Sequence, residues 1–246
     1  MQNALLVGVS SQMALQRELD VIANNMANVS TTGFKGRSTR FQEYLMPTAS
    51  ADTFAGSDRR LSYVIDQGTA LDLGQGAIEP DGNPTHVAIQ GEAFFSVQTP
   101  QGVRFTRNGA FEVNAQGTLV TSDGYAVQGE GGPITVNPQE TGLSIGPDGT
   151  VSTKLGVRGK VRLVTFANPQ TLTNAGANLY ESSAQPQPAG IRGRLESGAL
   201  EKSNVRPVLE MTRLMDVNRT YAMISSVITR LDDLRGTAIR RLADVA

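Results

Sequence analysis

The chain has 246 residues, enough for one large domain or two ordinary ones with a real core. Its 22 Lys and Arg stand against 23 Asp and Glu, so neither a basic nucleic-acid face nor an acidic tail is indicated. Cysteine is absent and His86 is the single histidine, which excludes disulfides, thiol chemistry and any His-based triad or multi-His metal site within one chain.

The N-terminal stretch does not read as a secretory signal. The first basic residue is Arg17, and the apolar run 4–9 is short and holds Gly8. No segment approaches the roughly 18 apolar residues of a membrane span. Taken by themselves, these features describe a soluble cytoplasmic protein.

The first element is a predicted helix. Leu15, Leu19, Ile22, Met26 and Val29 follow one another at steps of four and three, a heptad seam that Leu5, Gly8 and Gln12 extend backwards more weakly. Ser30-Thr31-Thr32-Gly33 stops it, with Gly33 placed for a left-handed C-cap. Asn24, Asn25 and Asn28 sit beside this seam although Asn is a poor helix former. Either the last turn frays, or their amides bond across subunit contacts, since Asn both donates and accepts.

Residues 46–57 are rich in Ala, Ser and Gly and read as part of an extended connector spanning 36–76. Short apolar or alternating runs follow at 85–89, 94–99, 103–106, 110–113 and 118–120. Gln101-Gly102, Asn108-Gly109, Gln116-Gly117 and Asp123-Gly124 punctuate them at hairpin intervals. Further strands are expected at 134–136, 143–145, 150–152 and 157–166, so that 77–180 forms a mainly-β domain. A second connector, 181–202, leads to the last element. There Leu214, Val217, Tyr221, Ile224, Ile228, Leu231, Ala238 and Leu242 keep three-four spacing, interrupted by Arg235. Ser203 and Asn204 are candidate N-caps, and Pro207 fits only a first turn.

The fold class expected is therefore α+β. Long terminal helices (1–35 and 203–246), each with a narrow heptad seam, flank the mainly-β domain inserted between them. Each helix alone is marginal. Ordering one residue costs about 1–2 kcal/mol of backbone entropy, and a buried seam side chain returns only about 1.5–3 kcal/mol. Both seams therefore need partners, either each other or further copies.

Catalytic patterns are missing. His86 reads as a packed or surface residue. Ser10-Ser11 lacks a nucleophile elbow, and Gly74-Gln75-Gly76 is a fragment of a phosphate loop without its Lys. Asp81-Gly82-Asn83-Pro84 is a turn without the alternating ligands of a calcium loop. No cofactor is indicated, and the chain reads as a non-enzyme.

Three groups of residues carry a family resemblance. Ala23-Asn24-Asn25-Met26-Ala27-Asn28 and Thr31-Thr32-Gly33-Phe34-Lys35 resemble the ANN-x-AN and TTGFK segments of flagellar rod and hook proteins. Leu200-Glu201-Lys202-Ser203-Asn204-Val205, Glu210-Met211 and Arg219-Thr220-Tyr221 resemble that family's C-terminal LE-x-SNV, EM and R-x-Y segments. In the middle, Ala88-Ile89-Gln90-Gly91-Glu92-Ala93-Phe94-Phe95 and Phe105-Thr106-Arg107-Asn108-Gly109-Ala110-Phe111 are similar to its AI-x-GDGFF strand and YTRNG-x-F hairpin. His86-Val87, where the family has Leu-Asp, and Ala93, where it has Gly, depart from the pattern.

The resemblance implies a structural subunit of the flagellar rod, nearest to its proximal member, with the distal rod member as runner-up and a secreted β-rich adhesin as a more distant alternative. It implies that the terminal helices form a discontinuous assembly domain with a coiled-coil-like axial core, through which the chain polymerises, with torque carried from motor to hook and filament. It also implies export by the flagellar type III apparatus without a cleaved signal peptide, and a periplasmic basal-body location. The implied partners are copies of the chain and the rod proteins FlgB, FlgC and FlgG, with no nucleic acid and no small-molecule substrate. The expected assembly interface consists of the seam residues and Asn amides named above.

Overall fold

The computed structural model describes residues 2–45, 62–137, 140–190 and 193–243. The chain divides into two compact units, one of residues 1–27, 37–70 and 206–246, the other of residues 28–36 and 71–205.

In the first unit, helix α1 (Gln2–Ala27) and helix α2 (Pro207–Ala243) pack together and run antiparallel. Gly8 lies against Ile228, where a Cβ would stand 3.0 Å from the Ile228 side chain, and Arg213 Nε donates to Glu18 Oε1 at 2.8 Å. Strands β1 (Arg37–Leu45) and β2 (Ser62–Leu71) pair as a two-stranded sheet, and β1 packs on α1. Asn25, buried in the last turns of α1, fastens the start of β1. Its Oδ1 accepts from Arg37 N at 3.0 Å and its Nδ2 donates to Arg37 O at 2.8 Å.

This arrangement corrects the expected coiled-coil-like axial core. The helices form a single intramolecular pair of unequal length, 26 against 37 residues, and β1 shares the packing surface of α1. Among the described seam residues only Ile22 and Val217 are buried, because one helix neighbour covers one flank and leaves the others open. The segment read as a connector, 36–76, contains β1 and β2, while 46–57 lies outside the described residues.

In the second unit, β3 (Ile78–Pro80) and β4 (Val87–Gly91) precede a hairpin of β5 (Phe94–Thr99) and β6 (Gly102–Thr106). A meander of β7 (Phe111–Val113), β8 (Leu119–Thr121), β9 (Ala126–Gly129) and β10 (Gly132–Pro133) folds back so that β9 pairs with β5. Strands β11 (Ser144–Ile145), β12 (Thr150–Thr153) and β13 (Gly156–Lys160) make a separate antiparallel sheet. Then β14 (Leu163–Thr165), β15 (Thr173–Gly176), β16 (Leu179–Glu181) and β17 (Gln187–Pro188) return to the large sheet. Finally β18 (Gly193–Ser197) pairs with β4, and β19 (Ala199–Glu201) pairs with β3. The second presumed connector, 181–202, thus contains β17, β18 and β19. The long run 157–166 divides into β13 and β14, which lie in different sheets.

Strand β5 organises the core through the period of two. Phe95 and Val97 join Val87, Ile89, Phe111, Leu119 and Val127 in one cluster, with Phe95 edge-on to Phe111 at 4.9 Å. Phe94 points the other way, into a second cluster with Phe105, Val164, Phe166 and Tyr180. Of the expected glycine turns, Gly102, Gly117 and Gly124 take positive φ; Gly109 does not, and is needed instead for close approach, since a Cβ there would stand 1.7 Å from Val87 O.

Candidate functional site

Two places concentrate residues with something to do beyond filling a core. The first is α2. Around its wheel, at roughly 100° per residue, Leu214, Val217, Tyr221, Ile224, Ile228 and Leu231 lie on one side, and all are buried or half-buried. Opposite them Val208, Met211, Met215, Met223, Val227 and Leu234 form a second apolar stripe, and each is more than half exposed. On α1, Val9 and Met13 are exposed and line an open groove of about 360 Å³ with Gln12, Gln16, Arg17, Asp20 and Tyr221. An apolar stripe of this kind left in water is a liability unless something covers it.

The second place is a buried charge cluster in the β unit. Glu201, at the end of β19, is enclosed and takes three donors on Oε1: Lys35 Nζ at 2.6 Å, Gly76 N at 3.0 Å and Arg107 Nη2 at 3.3 Å. Its Oε2 accepts from Arg107 Nε at 3.0 Å. Arg107 Nη1 donates to the carbonyls of Gly91 at 2.7 Å and Ala93 at 2.5 Å, and Lys35 Nζ also donates to Gly74 O at 2.8 Å. Burial pushes the Lys35 amine below its ordinary range and the Arg107 charge adds to that, while Glu201 opposes it.

The backbone closes around this cluster. Gly33 N donates to Glu201 O at 2.7 Å, Lys202 N to Ala77 O at 2.8 Å, and Gly36 N to Asn204 Oδ1 at 2.8 Å. Asn204 Nδ2 reaches the carbonyls of Asp72 at 2.9 Å and Gly74 at 3.0 Å. Two glycines make the approach feasible. A Cβ on Gly76 would stand 1.9 Å from Lys202 O, and one on Gly33, whose φ is +66°, would stand 2.5 Å from the Arg107 backbone.

The same geometry corrects three local expectations. Gly33 is left-handed, but α1 ends at Ala27, and the residue serves the Glu201 cluster rather than a C-cap. Ser203 Oγ accepts from Val205 N and Asn204 binds Gly36, so neither caps α2, which begins at Pro207.

Comparison with known proteins places these segments. Residues 5–35 match the family model described as flagella basal body rod protein, residues 88–153 that of the flagellar hook protein FlgE/F/G D1 domain, and residues 196–241 that of the flagellar basal body rod FlgEFG protein C-terminal. The flagellar basal-body rod protein FlgF of Caulobacter vibrioides is 38% identical over the full length of both chains. The chain belongs to the flagellar basal-body rod proteins. The FlgF of Mesorhizobium japonicum is 33% identical over 98% of each chain, and the FlgG of Bacillus subtilis 34% over 95% of this chain and 97% of its own. Membership makes this a structural protein of the basal body, and the FlgF reading fits at least as well as the FlgG one.

The three matched rod-family segments supply one member each to the buried cluster: Lys35, Arg107 and Glu201. Each of the three lies in a separate motif, and nothing in the sequence indicates that they meet. The signal available was a charged residue set close to glycines in each motif. Of the expected interface residues, Leu15, Leu19, Met26, Leu214, Tyr221, Ile224, Ile228 and Leu231 are half-buried, as are Asn28 and Val29. Asn24 and Ala238 are exposed. Asn25 spends its amide inside its own unit, and Leu242 is described only as helical backbone.

His86 pairs through Nδ1 with Asp81 in a surface turn, and the hydrogen bond to His86 is the main reason the Asp81 carboxyl lies below its ordinary range. Among the described residues, no group of three or more His, Cys, Asp or Glu is placed to hold a metal, and no helix is long and apolar enough to cross a membrane.

Proposed function

We propose that the chain is a structural subunit of the proximal rod, that it polymerises through its terminal helices, and that the assembled shaft carries motor torque to the hook and filament. The observation carrying this reading is the second apolar stripe of α2. Val208, Met211, Met215, Met223, Val227 and Leu234 lie opposite the side covered by α1 and have no use in an isolated chain. The seam residues Leu15, Leu19, Tyr221, Ile224 and Ile228, half-buried by the intramolecular pair, retain surface for lateral contact. Load then spreads over many small apolar contacts, and no catalytic residue is required.

On this reading the partners are further copies of the chain and the rod proteins FlgB, FlgC and FlgG. The chain reaches the periplasmic rod through the flagellar export apparatus without cleavage of a signal peptide. The test is to isolate intact hook–basal bodies and probe them for this chain, with a deletion strain as control. The expected result is a basal-body component whose loss abolishes hooks and swimming. A chain confined to the cytosol, or a deletion strain that swims, overturns the proposal.

A further inference from the structure

We infer that Glu201 is a closing lock. The amides of Gly33, Gly36 and Gly76 gain their bonds only when β19 and the residues just after it dock, whereas Gln75 already reaches Ile89 O and Gly91 N of β4, so this junction closes in a late step. The argument starts from charge. Lys35 and Arg107 are buried cations with side chains 1% and 3% exposed, and the carboxylate their side chains meet at salt-bridge distance is Glu201, itself wholly enclosed. Other acidic groups lie less directly on them: Asp72 acts on Lys35 through its field, and Glu92 lines a small cavity beside Lys35 and Arg107 but is exposed. Taking two cations out of water without their carboxylate is strongly unfavourable. Before residue 201 arrives, Lys35 and Arg107 therefore keep their water, and the backbone around them stays open.

Sequence distance converts this into an order of events. Glu201 lies 166 residues beyond Lys35 and 94 beyond Arg107. The β5–β10 meander, by contrast, is built from adjacent hairpins with low loop-closure cost. A chain delivered N-terminus first can form the meander early and the junction only at the end. The junction bonds, Gly33 N to Glu201 O, Gly36 N to Asn204 Oδ1 and Gly76 N to Glu201 Oε1, all depend on residues from 201 onward. These three bonds thus form only in a chain delivered through Asn204.

The test uses the full chain and hydrogen exchange read at single amides. In Glu201→Gln the amides of Gly33, Gly36 and Gly76 should exchange more than about tenfold faster, while those of Val97, Leu119 and Val127 stay within about twofold. Adding Lys35→Met to Glu201→Gln removes one stranded cation and should slow junction exchange again, a rescue by a second substitution. Unchanged junction exchange in Glu201→Gln, opening of meander and junction together, or a double variant worse than the single one overturns the lock. Should Glu201→Gln fail to fold, pulse labelling during refolding of the unaltered chain decides. Junction amides must gain protection after the meander amides, and simultaneous protection refutes the order proposed.

Discussion

Met223 and Val227 are the most direct probe of the outer face of α2, because a change there separates the chain's own stability from what it does with neighbours. They are 60% and 54% exposed. Complete burial of a Val or Met side chain is worth about 1.5–3 kcal/mol, and more than half of each is still in water. Covering the pair would therefore contribute roughly 1–2 kcal/mol per side chain to a subunit contact. Replacing both by Glu changes little in the free chain, since exposed helix positions tolerate such changes within about 0.5 kcal/mol and Glu is a good helix former. In an assembled shaft the carboxylates would be buried without partners at a cost of several kcal/mol, and about 4 kcal/mol weakens a contact roughly a thousandfold. The expected outcome is an unaltered melting temperature for the purified Met223→Glu/Val227→Glu chain, together with loss of swimming and loss of the chain from isolated basal bodies. Normal swimming with normal incorporation would refute the assignment of this face to assembly. A lowered melting temperature would show that the stripe serves the chain's own fold.

Three further outcomes follow from the same geometry. Asn25→Ala leaves the N–H and C=O of Arg37 without their partners and should lower stability in urea unfolding by about 1–3 kcal/mol for each group left unsatisfied; no shift of the midpoint would mean the clamp is replaced by water at no cost. Gly76→Ala drives a Cβ to 1.9 Å from Lys202 O and should cost roughly 1–3 kcal/mol or more, again read from the urea midpoint, with retention of full stability refuting the close approach. Lys35 has a folded pKa below its ordinary 10.5, because of burial first and Arg107 second. Between its folded and unfolded pKa values the unfolded chain binds more protons, so this residue's contribution to stability rises with pH up to about 10.5. Lys35→Met should remove that rise, and parallel pH profiles for the two chains would contradict it.

The helices were legible because seam residues at steps of three and four leave a period that survives in any context. The meander was legible because each glycine turn sits between short alternating runs, and β5 matched its predicted bounds at 94–99. The strands β1 and β2 were not. Arg37-Ser38-Thr39-Arg40 carries no strong alternation, and what holds β1 is in part the amide of Asn25, twelve residues away in another element. The same amide explains why a poor helix former sits at the end of α1, a question composition alone left between fraying and intermolecular bonding. The charge cluster was invisible for a different reason. A lysine, an arginine and a glutamate in separate motifs read as surface charges, and only a topology that pairs β19 with β3 brings Glu201 to the other two.

The two units differ in how completely they satisfy themselves. In the β unit both faces of β5 are covered, aromatic rings meet edge to edge, and even the charges are enclosed with partners on each side of Glu201. The helical unit has Ile22 and Val217 buried, and among the described residues it leaves seven large apolar side chains of one helix in water. An amphipathic helix in a self-sufficient protein turns one apolar stripe inward and shows polar residues elsewhere. A helix with two opposed stripes fits a layer with neighbours on both sides, one of which α1 already supplies. Substitutions in the β unit should therefore be read first as losses of stability. Substitutions on the outer stripe of α2 should register as losses of assembly in a chain that still folds.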